Sequence, residues 1–318
     1  MIKFIIILSS ILLFLIIVIF ILSYIIYLNA IKANKELRTI DPNKIVKFKD
    51  HLELAKTGYD FYNNIEKERI MIKSYDNIDL YADFIKHDEA KATVIMLHGY
   101  RSNFLVDLNF MIKRIYDAGY NVLLPYQRGC GKSGGNCISF GIKERYDLLY
   151  WTNYLNEKSN LPIVYYGVSL GASTSVMATG FNPKNVKCVI SDCGFQSPWD
   201  ICVHVLKRNF HLPPFPFLYI CNLYGKLFAK FTLNDYSCKE ALKNNTIPIL
   251  YIHGTEDDFV PLWMGKDNYE CTHSKKDMLI IEGAIHAQSS LIDEKTYEKR
   301  VLDFINENIY SEKIDNFL

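Results

Sequence analysis

The chain has 318 residues, of which 49% are hydrophobic and 22% are charged, a composition typical of a globular protein and not of a disordered or fibrous one. Its 36 basic and 35 acidic residues nearly cancel, which disfavours nucleic acid as a partner, because phosphate binding needs a basic excess on one face. The eight cysteines show no paired metal-ligand spacing and no density typical of a small disulfide scaffold, so we interpret them as mostly buried thiols of a reducing compartment. A small molecule is the substrate class that this composition favours.

The first predicted element is a membrane-spanning helix. From Phe4 to Leu28 the sequence carries no charge and consists almost wholly of large apolar residues. At about 1.5 Å per residue such a run can cross the roughly 30 Å hydrocarbon core. A cleaved signal peptide is the alternative, but its apolar region should span only about 7–15 residues and end at a small-residue site. We therefore expect residues 1–31 to be an N-terminal, single-pass anchor.

The membrane side of the main body is less clearly indicated. Lys32, Lys35 and Arg38 follow the apolar run, whereas Lys3 and the amino terminus precede it. This small basic excess favours a cytoplasmic main body but leaves the side open.

The segment after the anchor, residues 32–66, is polar and Lys-rich, and we interpret it as a stalk. A folded domain is expected over residues 67–318. It begins with two extended runs around an Asp76-Asn77 turn, which predicts a β-hairpin.

Short apolar runs then alternate with stretches of helical periodicity. This alternation predicts an α/β fold with a mostly parallel central sheet and helices on both faces. It fails over residues 195–246, a segment rich in aromatic residues and proline, where we expect a helical lid insertion. The predicted strands cover residues 93–97, 121–124, 163–166, 187–190, 249–252 and 278–281, and the predicted helices cover 104–117, 142–157, 170–179 and 294–308.

The motif Gly167-Val168-Ser169-Leu170-Gly171 follows one of these strands and opens a helix. This is the context of a nucleophile elbow, in which a strained turn exposes a serine hydroxyl above the sheet. Gly167 and Gly171 are the structural positions of the elbow, because small residues there let strand and helix approach closely. Taken alone, the pattern fits equally a glycine-rich turn with an ordinary surface serine.

A serine nucleophile needs a histidine base and a carboxylate that orients it. Asp257 and His286 each lie just after a predicted strand, and the chain order Ser169, Asp257, His286 is the order of nucleophile, acid and base that accompanies a nucleophile elbow. Asp258, Glu256 and Asp192 are alternative acids. The histidines at 98 and 253 precede glycine at strand ends and are expected to order loops.

The oxyanion that forms on a carbonyl under attack needs hydrogen-bond donors. The backbone N–H groups of Leu170, at the start of the helix after Ser169, and of Tyr100, after His98-Gly99, are the candidates.

These motifs together resemble the bacterial α/β-hydrolase superfamily. The resemblance covers about residues 67–310 and is strongest to serine-aminopeptidase-like and cinnamoyl-esterase-like hydrolases, with similar matches to acyl-CoA thioesterase relatives. It implies an α/β-hydrolase fold, the triad of Ser169, Asp257 and His286, and an oxyanion hole of two amides. The chain departs from many relatives at Tyr126-Gln127-Arg128-Gly129-Cys130-Gly131, where they have Asp-x-Arg-Gly-His-Gly, which puts substrate contacts near this loop in doubt.

Other cofactor chemistries are disfavoured. Gly131-Lys132-Ser133 ends like a phosphate loop, but the full pattern needs a glycine at position 126, where this chain has tyrosine. The His, Cys and carboxylate spacings match no zinc or di-metal centre, so neither a metal nor a cofactor is expected.

The predicted function is therefore a serine hydrolase that cleaves an ester, thioester or amide through an acyl-enzyme, with a carboxylesterase- or lipase-like activity favoured. A serine peptidase, an acyltransferase and a non-catalytic binding protein are the alternatives. The expected partners are a small-molecule or lipid-like acyl substrate and the membrane, and the oligomeric state is left open.

Overall fold

The computed structural model describes residues 1–33 and 51–310, so the middle of the predicted stalk and the last eight residues, 311–318, lie outside the described part. The strands are β1 (Glu68–Lys73), β2 (Asp79–Ile85), β3 (Thr93–Leu97), β4 (Asn121–Pro125), β5 (Ile163–Val168), β6 (Val186–Asp192), β7 (Ile249–Gly254) and β8 (Lys276–Ile281). The helices are α1 (Ile2–Ala30), α2 (Leu52–Asn64), α3 (Phe104–Asp107), α4 (Asn109–Asp117), α5 (Glu144–Lys158), α6 (Leu170–Thr179), α7 (Pro198–Phe210), α8 (Phe217–Tyr224), α9 (Cys238–Leu242), α10 (Leu262–Cys271), α11 (Ser289–Ile292) and α12 (Glu294–Ile309).

The eight strands form one sheet in the order β1-β2-β4-β3-β5-β6-β7-β8. The pairs β1–β2 and β2–β4 are antiparallel, and every other pair is parallel. Strands β3, β4, β5 and β7 are buried along their whole length, as expected for unbroken apolar runs covered on both faces. Two hydrophobic clusters fill the space between sheet and helices. The predicted fold, a mostly parallel sheet with helices on both faces, is confirmed.

The C-terminal part of the segment predicted to be a stalk is packed onto the domain. Helix α2 buries Ala55, Gly58 and Tyr62. A Cβ on Gly58 would lie 2.4 Å from the backbone of Asn109, so glycine is required for this close contact with α4. The Tyr62 hydroxyl donates to the buried Asp83 carboxylate at 2.5 Å. The structure therefore differs from the sequence-based division here, and the folded domain includes α2.

Helix α1 consists of an exposed part and a docked part. The large apolar residues from Ile2 to Ile17 are exposed, whereas Ser23 and Tyr27 are buried against the domain. The chain beyond α1 is tied to the loop before α5, because the Ile138 amide donates to the Ile31 carbonyl at 2.8 Å. Within the described residues, α1 is the one helix that is long and apolar enough to cross a membrane.

The segment between β6 and β7 folds into α7, α8, a π-helix at Gly225–Ala229 and α9, and lies beside α1. The Tyr224 hydroxyl at the end of α8 donates to the Phe20 carbonyl of α1 at 3.3 Å. Tyr24 and Tyr27 of α1 make ring contacts with Tyr224 and Phe228 at centroid distances of 5.2–6.4 Å. The aromatic residues of this insertion thus hold the last turns of α1.

The loop after β4 is built around a buried arginine. Arg128 donates to Asp147 of α5 through Nε and Nη2, both at 2.6 Å, and also to Asp76 of the β1–β2 turn. Burial strongly disfavours separating these charges. The Ser133 hydroxyl accepts from the Tyr81 amide at 2.9 Å, so this serine of the Gly-Lys-Ser run anchors the loop to β2.

Candidate active site

Ser169 lies in a strained turn between β5 and α6. Its φ of 55° and ψ of −114° are a backbone conformation that a side chain adopts only when its surroundings enforce it. A Cβ on Gly167 would lie 2.2 Å from the Gly171 backbone, and one on Gly171 would lie 2.2 Å from the carbonyl oxygen of Leu97. Both positions therefore require glycine, and the turn is tight enough to hold Ser169 at the carboxyl edge of the sheet.

The three residues predicted to form a triad lie in one hydrogen-bonded row. The Oγ of Ser169 is 3.0 Å from Nε2 of His286, and Nδ1 of His286 is 2.8 Å from Oδ2 of Asp257. They come from the ends of three parallel strands, because Ser169 follows β5, Asp257 follows β7 and His286 follows β8. This is the spacing that a nucleophile, its general base and an orienting acid require.

The surroundings of Asp257 distinguish it from the alternative acids. Its side chain is fully buried, and Oδ1 accepts from the amides of Phe259 and Val260 at 3.1 and 2.8 Å. Asp258 is 71% exposed and binds Arg208, and Glu256 is exposed. The remaining candidate, Asp192, accepts from the Tyr297 hydroxyl at 2.8 Å on the helix α12 side. Of the candidate acids, Asp257 is the carboxylate that the structure brings to His286.

The two histidines expected to order loops lie at the carboxyl ends of two strands, since His98 directly follows β3 and His253 is the penultimate residue of β7. Nδ1 of His98 donates to the Gly99 carbonyl at 2.8 Å, and its Nε2 accepts from the Gln127 amide at 3.2 Å. Nε2 of His253 donates to the Val260 carbonyl at 2.8 Å. Burial lowers the pKa of both side chains, so they remain neutral in these roles.

The candidate oxyanion donors belong to two segments next to Ser169, the start of α6 and the loop after β3. Leu170 is the first residue of α6, so its amide is one of the N-terminal donors that a helix leaves without an intrahelical partner. The Tyr100 amide belongs to the loop after β3, which the Gly99 amide fixes by donating to Asp107 at 2.7 Å. A Cβ on Gly99 would lie 3.4 Å from Cβ of Ser169, so this loop and the serine are in direct contact.

A cavity of about 480 Å³ opens above Ser169. Small-molecule sites commonly measure about 300–1,000 Å³ and are mostly apolar. The cavity is lined by apolar residues of α7 and α8, among them Ile201, Leu206 and Leu218, and by Phe259 beside the triad. An apolar group attached to a reacting carbonyl would fit this environment.

Sequence reasoning missed one wall of this cavity. Ile25, Ile26, Asn29 and Ala30 of α1 and the following Ile31 line it. The Tyr100 hydroxyl donates to the carbonyls of Asn29 and Ala30 at 3.0 and 2.9 Å, which joins the loop of the candidate oxyanion donor to the end of α1. The sequence signal available was the length of the apolar run, which continues beyond what a span needs.

Among the described residues, the one group of side chains close enough together to hold a metal ion shares two residues with the predicted triad. Ligand atoms of Cys193, Asp257 and His286 lie within 4.8 Å of one another. However, Asp257 and His286 already bind each other, and burial raises the pKa of the Cys193 thiol well above its usual range, which disfavours the thiolate that metals bind. The arrangement fits a proton relay better than a metal centre.

Comparisons with known proteins agree with this architecture. A family model described as the alpha/beta hydrolase fold matches residues 92–215. The uncharacterized protein YqkD of Bacillus subtilis is 28% identical over 78% of this chain and 82% of its own length. Protein bem46 of Schizosaccharomyces pombe is 25% identical over 77% of this chain and 78% of its own length.

Solved structures share the fold at lower identity. A Pyrococcus furiosus esterase is 22% identical with a TM-score of 0.66, over 88% of this chain and 98% of its own. Est1E of Butyrivibrio proteoclasticus, solved with ferulic acid bound, is 17% identical with a TM-score of 0.58, over 76% of this chain and 99% of its own. The chain thus has the α/β-hydrolase fold, as the motifs of the sequence predict.

Proposed function

We propose that this chain is a membrane-anchored serine hydrolase that cleaves a carboxylic ester through an acyl-enzyme intermediate. The observation that carries the proposal is the row of hydrogen bonds from Ser169 through His286 to the buried Asp257, at 3.0 and 2.8 Å, on a strained elbow. A strained, glycine-dependent turn persists only where the surrounding structure enforces it, and such strain is typical of functional sites.

The proposed reaction has two steps. Oγ of Ser169 attacks the ester carbonyl while Nε2 of His286 takes its proton, the Leu170 and Tyr100 amides hold the oxyanion, and the alcohol leaves with that proton. Water then attacks the acyl-serine, again giving its proton to His286, and the acid product leaves as Ser169 regains its hydrogen. Asp257 keeps the imidazole in the tautomer that accepts at Nε2. These two reaction steps need no cofactor.

An ester is favoured as the substrate because the cavity above Ser169 is mostly apolar and because esterases are among the structural neighbours. Thioesters and amides pass through the same intermediates, so they are secondary candidates. An acyltransferase would differ only in replacing water with another acceptor, and product analysis with added alcohols separates it from a hydrolase.

The proposal includes the membrane. Residues 1–31 are taken as a single-pass anchor, since α1 is long and apolar enough to span, and the insertion at about 195–246 is taken as a lid over the cavity. The basic residues after the span favour a cytoplasmic domain. Protease protection of the domain in intact cells tests this placement: if externally added protease digests the domain, it lies outside.

The test of the chemistry uses the full chain in phosphatidylcholine nanodiscs, with a fluorophosphonate probe and a nitrophenyl ester. Ser169→Ala should abolish both labelling and turnover. Ser175→Ala is the matched control, because Ser175 is a second buried serine, lies within α6, and donates its hydroxyl to the Gly171 carbonyl of the same helix at 2.8 Å. A folded wild-type protein that neither labels nor turns over, or an Ser169→Ala variant that still does both, would contradict the proposal.

A further inference from the structure

The mouth of the cavity above Ser169 lies between the anchor helix and the insertion. Among the residues that line the cavity, those that are exposed are Ile25 and Asn29 of α1 and Asn209 and Phe210 at the end of α7. Ile25 is 46% exposed and Phe210 is 57% exposed. The other lining residues are buried or half-buried, so a ligand reaches Ser169 by passing between these two helices.

One side of this mouth is formed by the end of the apolar run that is proposed to span the membrane. The domain holds α1 from about Phe20 onward, where Tyr224 donates to the helix backbone. The part of α1 before Phe20 is about 27 Å long at about 1.5 Å per residue. Because the hydrocarbon core is roughly 30 Å thick, the first docked turn lies near its edge and Ile25 lies at the level of the lipid headgroups or just beneath them.

The insertion beside the mouth has the composition of a membrane-interface surface. Five large apolar side chains of α8 and its flanks are exposed, and Lys226 and Lys230 lie among them. Aromatic residues at headgroup level, together with lysines that extend their charge to the lipid phosphates, are typical of helices lying in the interface. The exposed apolar residues are Phe215, Tyr219, Leu223, Leu227 and Phe228. This surface is continuous with α1 through the contact of Tyr24 with Tyr224 and Phe228, so the partner that fits it is the bilayer itself.

We infer that the last two turns of α1 form a wall of the substrate channel, and that the substrate is an ester with a long acyl chain that enters sideways from the bilayer. The inference rests on the proposed function, since it assigns the acyl chain to the cavity above the proposed nucleophile. The acyl chain passes between Ile25 and Phe210, lies against the apolar walls, and places its carbonyl beside Ser169. The anchor therefore takes part in selecting the substrate as well as in attaching the protein.

The test uses a substitution in α1 that makes the mouth of the cavity narrower. Ile25→Trp places a larger side chain at the mouth, and the full-length variant is compared with wild type in phosphatidylcholine nanodiscs containing nitrophenyl palmitate, with nitrophenyl butyrate assayed in parallel. Ile21→Trp is the matched control, because Ile21 lies one turn earlier on the same helix, is 54% exposed and does not line the cavity. We expect the ratio of palmitate to butyrate turnover to fall at least tenfold in Ile25→Trp and to stay within twofold of wild type in Ile21→Trp.

A ratio that stays within twofold of wild type in folded Ile25→Trp would overturn the inference and leave the hydrolase proposal intact. Absence of turnover and of fluorophosphonate labelling in the wild-type protein would instead contradict the proposed function itself. If Ile25→Trp does not fold, Phe210→Trp narrows the mouth from α7, and the same ratio decides. Its control is Phe181→Trp, because Phe181 is 46% exposed and does not line the cavity. Retention of the wild-type ratio in Phe210→Trp would overturn the inference in the same way.

Discussion

Replacing Asp257 by asparagine should stop the proposed reaction without disturbing the position of the side chain. Oδ1 of Asp257 accepts from the amides of Phe259 and Val260, so the amide oxygen of an asparagine must occupy this place. The NH₂ group then faces Nδ1 of His286, where Oδ2 now lies at 2.8 Å. As a donor, it holds the imidazole in the tautomer that carries its proton on Nε2.

That tautomer cannot accept the proton of Ser169, whose Oγ lies 3.0 Å from Nε2. In a Ser-His-Asp protease the corresponding change lowers kcat by about 10⁴, which corresponds to about 5 kcal/mol of transition-state stabilisation. We expect a loss of the same order in kcat for nitrophenyl ester hydrolysis by full-length Asp257→Asn, with little change in the free energy of unfolding.

The matched control is Asp258→Asn. Asp258 is the neighbouring carboxylate, but it is 71% exposed and its contact is with Arg208, so its kcat should stay within about threefold of wild type, as for an exposed ion pair worth about 0–1 kcal/mol. The assignment of the acid is refuted if Asp257→Asn keeps more than a tenth of the wild-type kcat, or if Asp258→Asn loses as much activity.

Three further expectations concern packing around the site. Gly171→Ala should lower the free energy of unfolding by about 3 kcal/mol, because its Cβ would lie 2.2 Å from the backbone of β3. Gly283→Ala should lose less stability in urea titrations, because its Cβ would meet no neighbour within 4 Å and only its φ of 73° costs about 1–2 kcal/mol. The reverse order would contradict the close-packing argument. Asp147→Ala should lower the free energy of unfolding by about 3 kcal/mol, because Arg128 stays buried and, among the described residues, keeps only its ion pair with Asp76. An unchanged urea midpoint would show that Asp76 alone is sufficient to stabilise the buried guanidinium. Tyr100→Phe should lower the free energy of local unfolding at the end of α1 by about 1 kcal/mol in total, because one hydroxyl proton is shared between the Asn29 and Ala30 carbonyls. This predicts roughly fivefold faster amide hydrogen exchange over residues 25–33, and unchanged exchange would show that this hydroxyl does not hold the helix.

Much of the central sheet could be predicted because buried parallel strands are unbroken apolar runs with turns on both sides. The predicted β3 agrees with the observed Thr93–Leu97 at both ends, and helix α6 agrees at Leu170–Thr179. The three proposed triad residues could be located because each directly follows such a strand, and carboxyl ends of parallel strands meet at one edge. Their catalytic roles stay a prediction, since neither the fold nor the relatives test them.

Other elements gave no recognisable pattern. Helix α10 was not predicted, because its buried residues are Met264, Gly265 and Asn268, and a glycine and an asparagine do not produce an apolar period. Gly265 is needed there, since a Cβ would lie 2.4 Å from Nδ1 of His253. The predicted single helix over residues 104–117 is interrupted at Leu108, where φ is −130° and ψ is 1°, and forms α3 and α4. Apolar periodicity continues through this break, so it does not reveal the change of direction.

The docking of α1 onto the domain could not be predicted from the sequence, for a different reason. An apolar run suits lipid and a protein interior equally, so its composition does not distinguish the part that is exposed from the part that packs on the insertion. The sequence-based division into anchor, stalk and domain accordingly left the cavity without one of its walls.

The proposed entry of the substrate between α1 and α7 also determines which measure of substrate concentration sets the rate. A cavity that opens at the level of the headgroups encounters its ester by diffusion within a surface, so the relevant quantity is the mole fraction of ester among the lipids and not its amount per litre of buffer. The rate should then fall in proportion when inert phosphatidylcholine is added to the same discs, and should not change when the whole sample is diluted with buffer. Under the proposed entry from the bilayer, a change in the lipid composition around the protein alters the rate with no change in the protein itself.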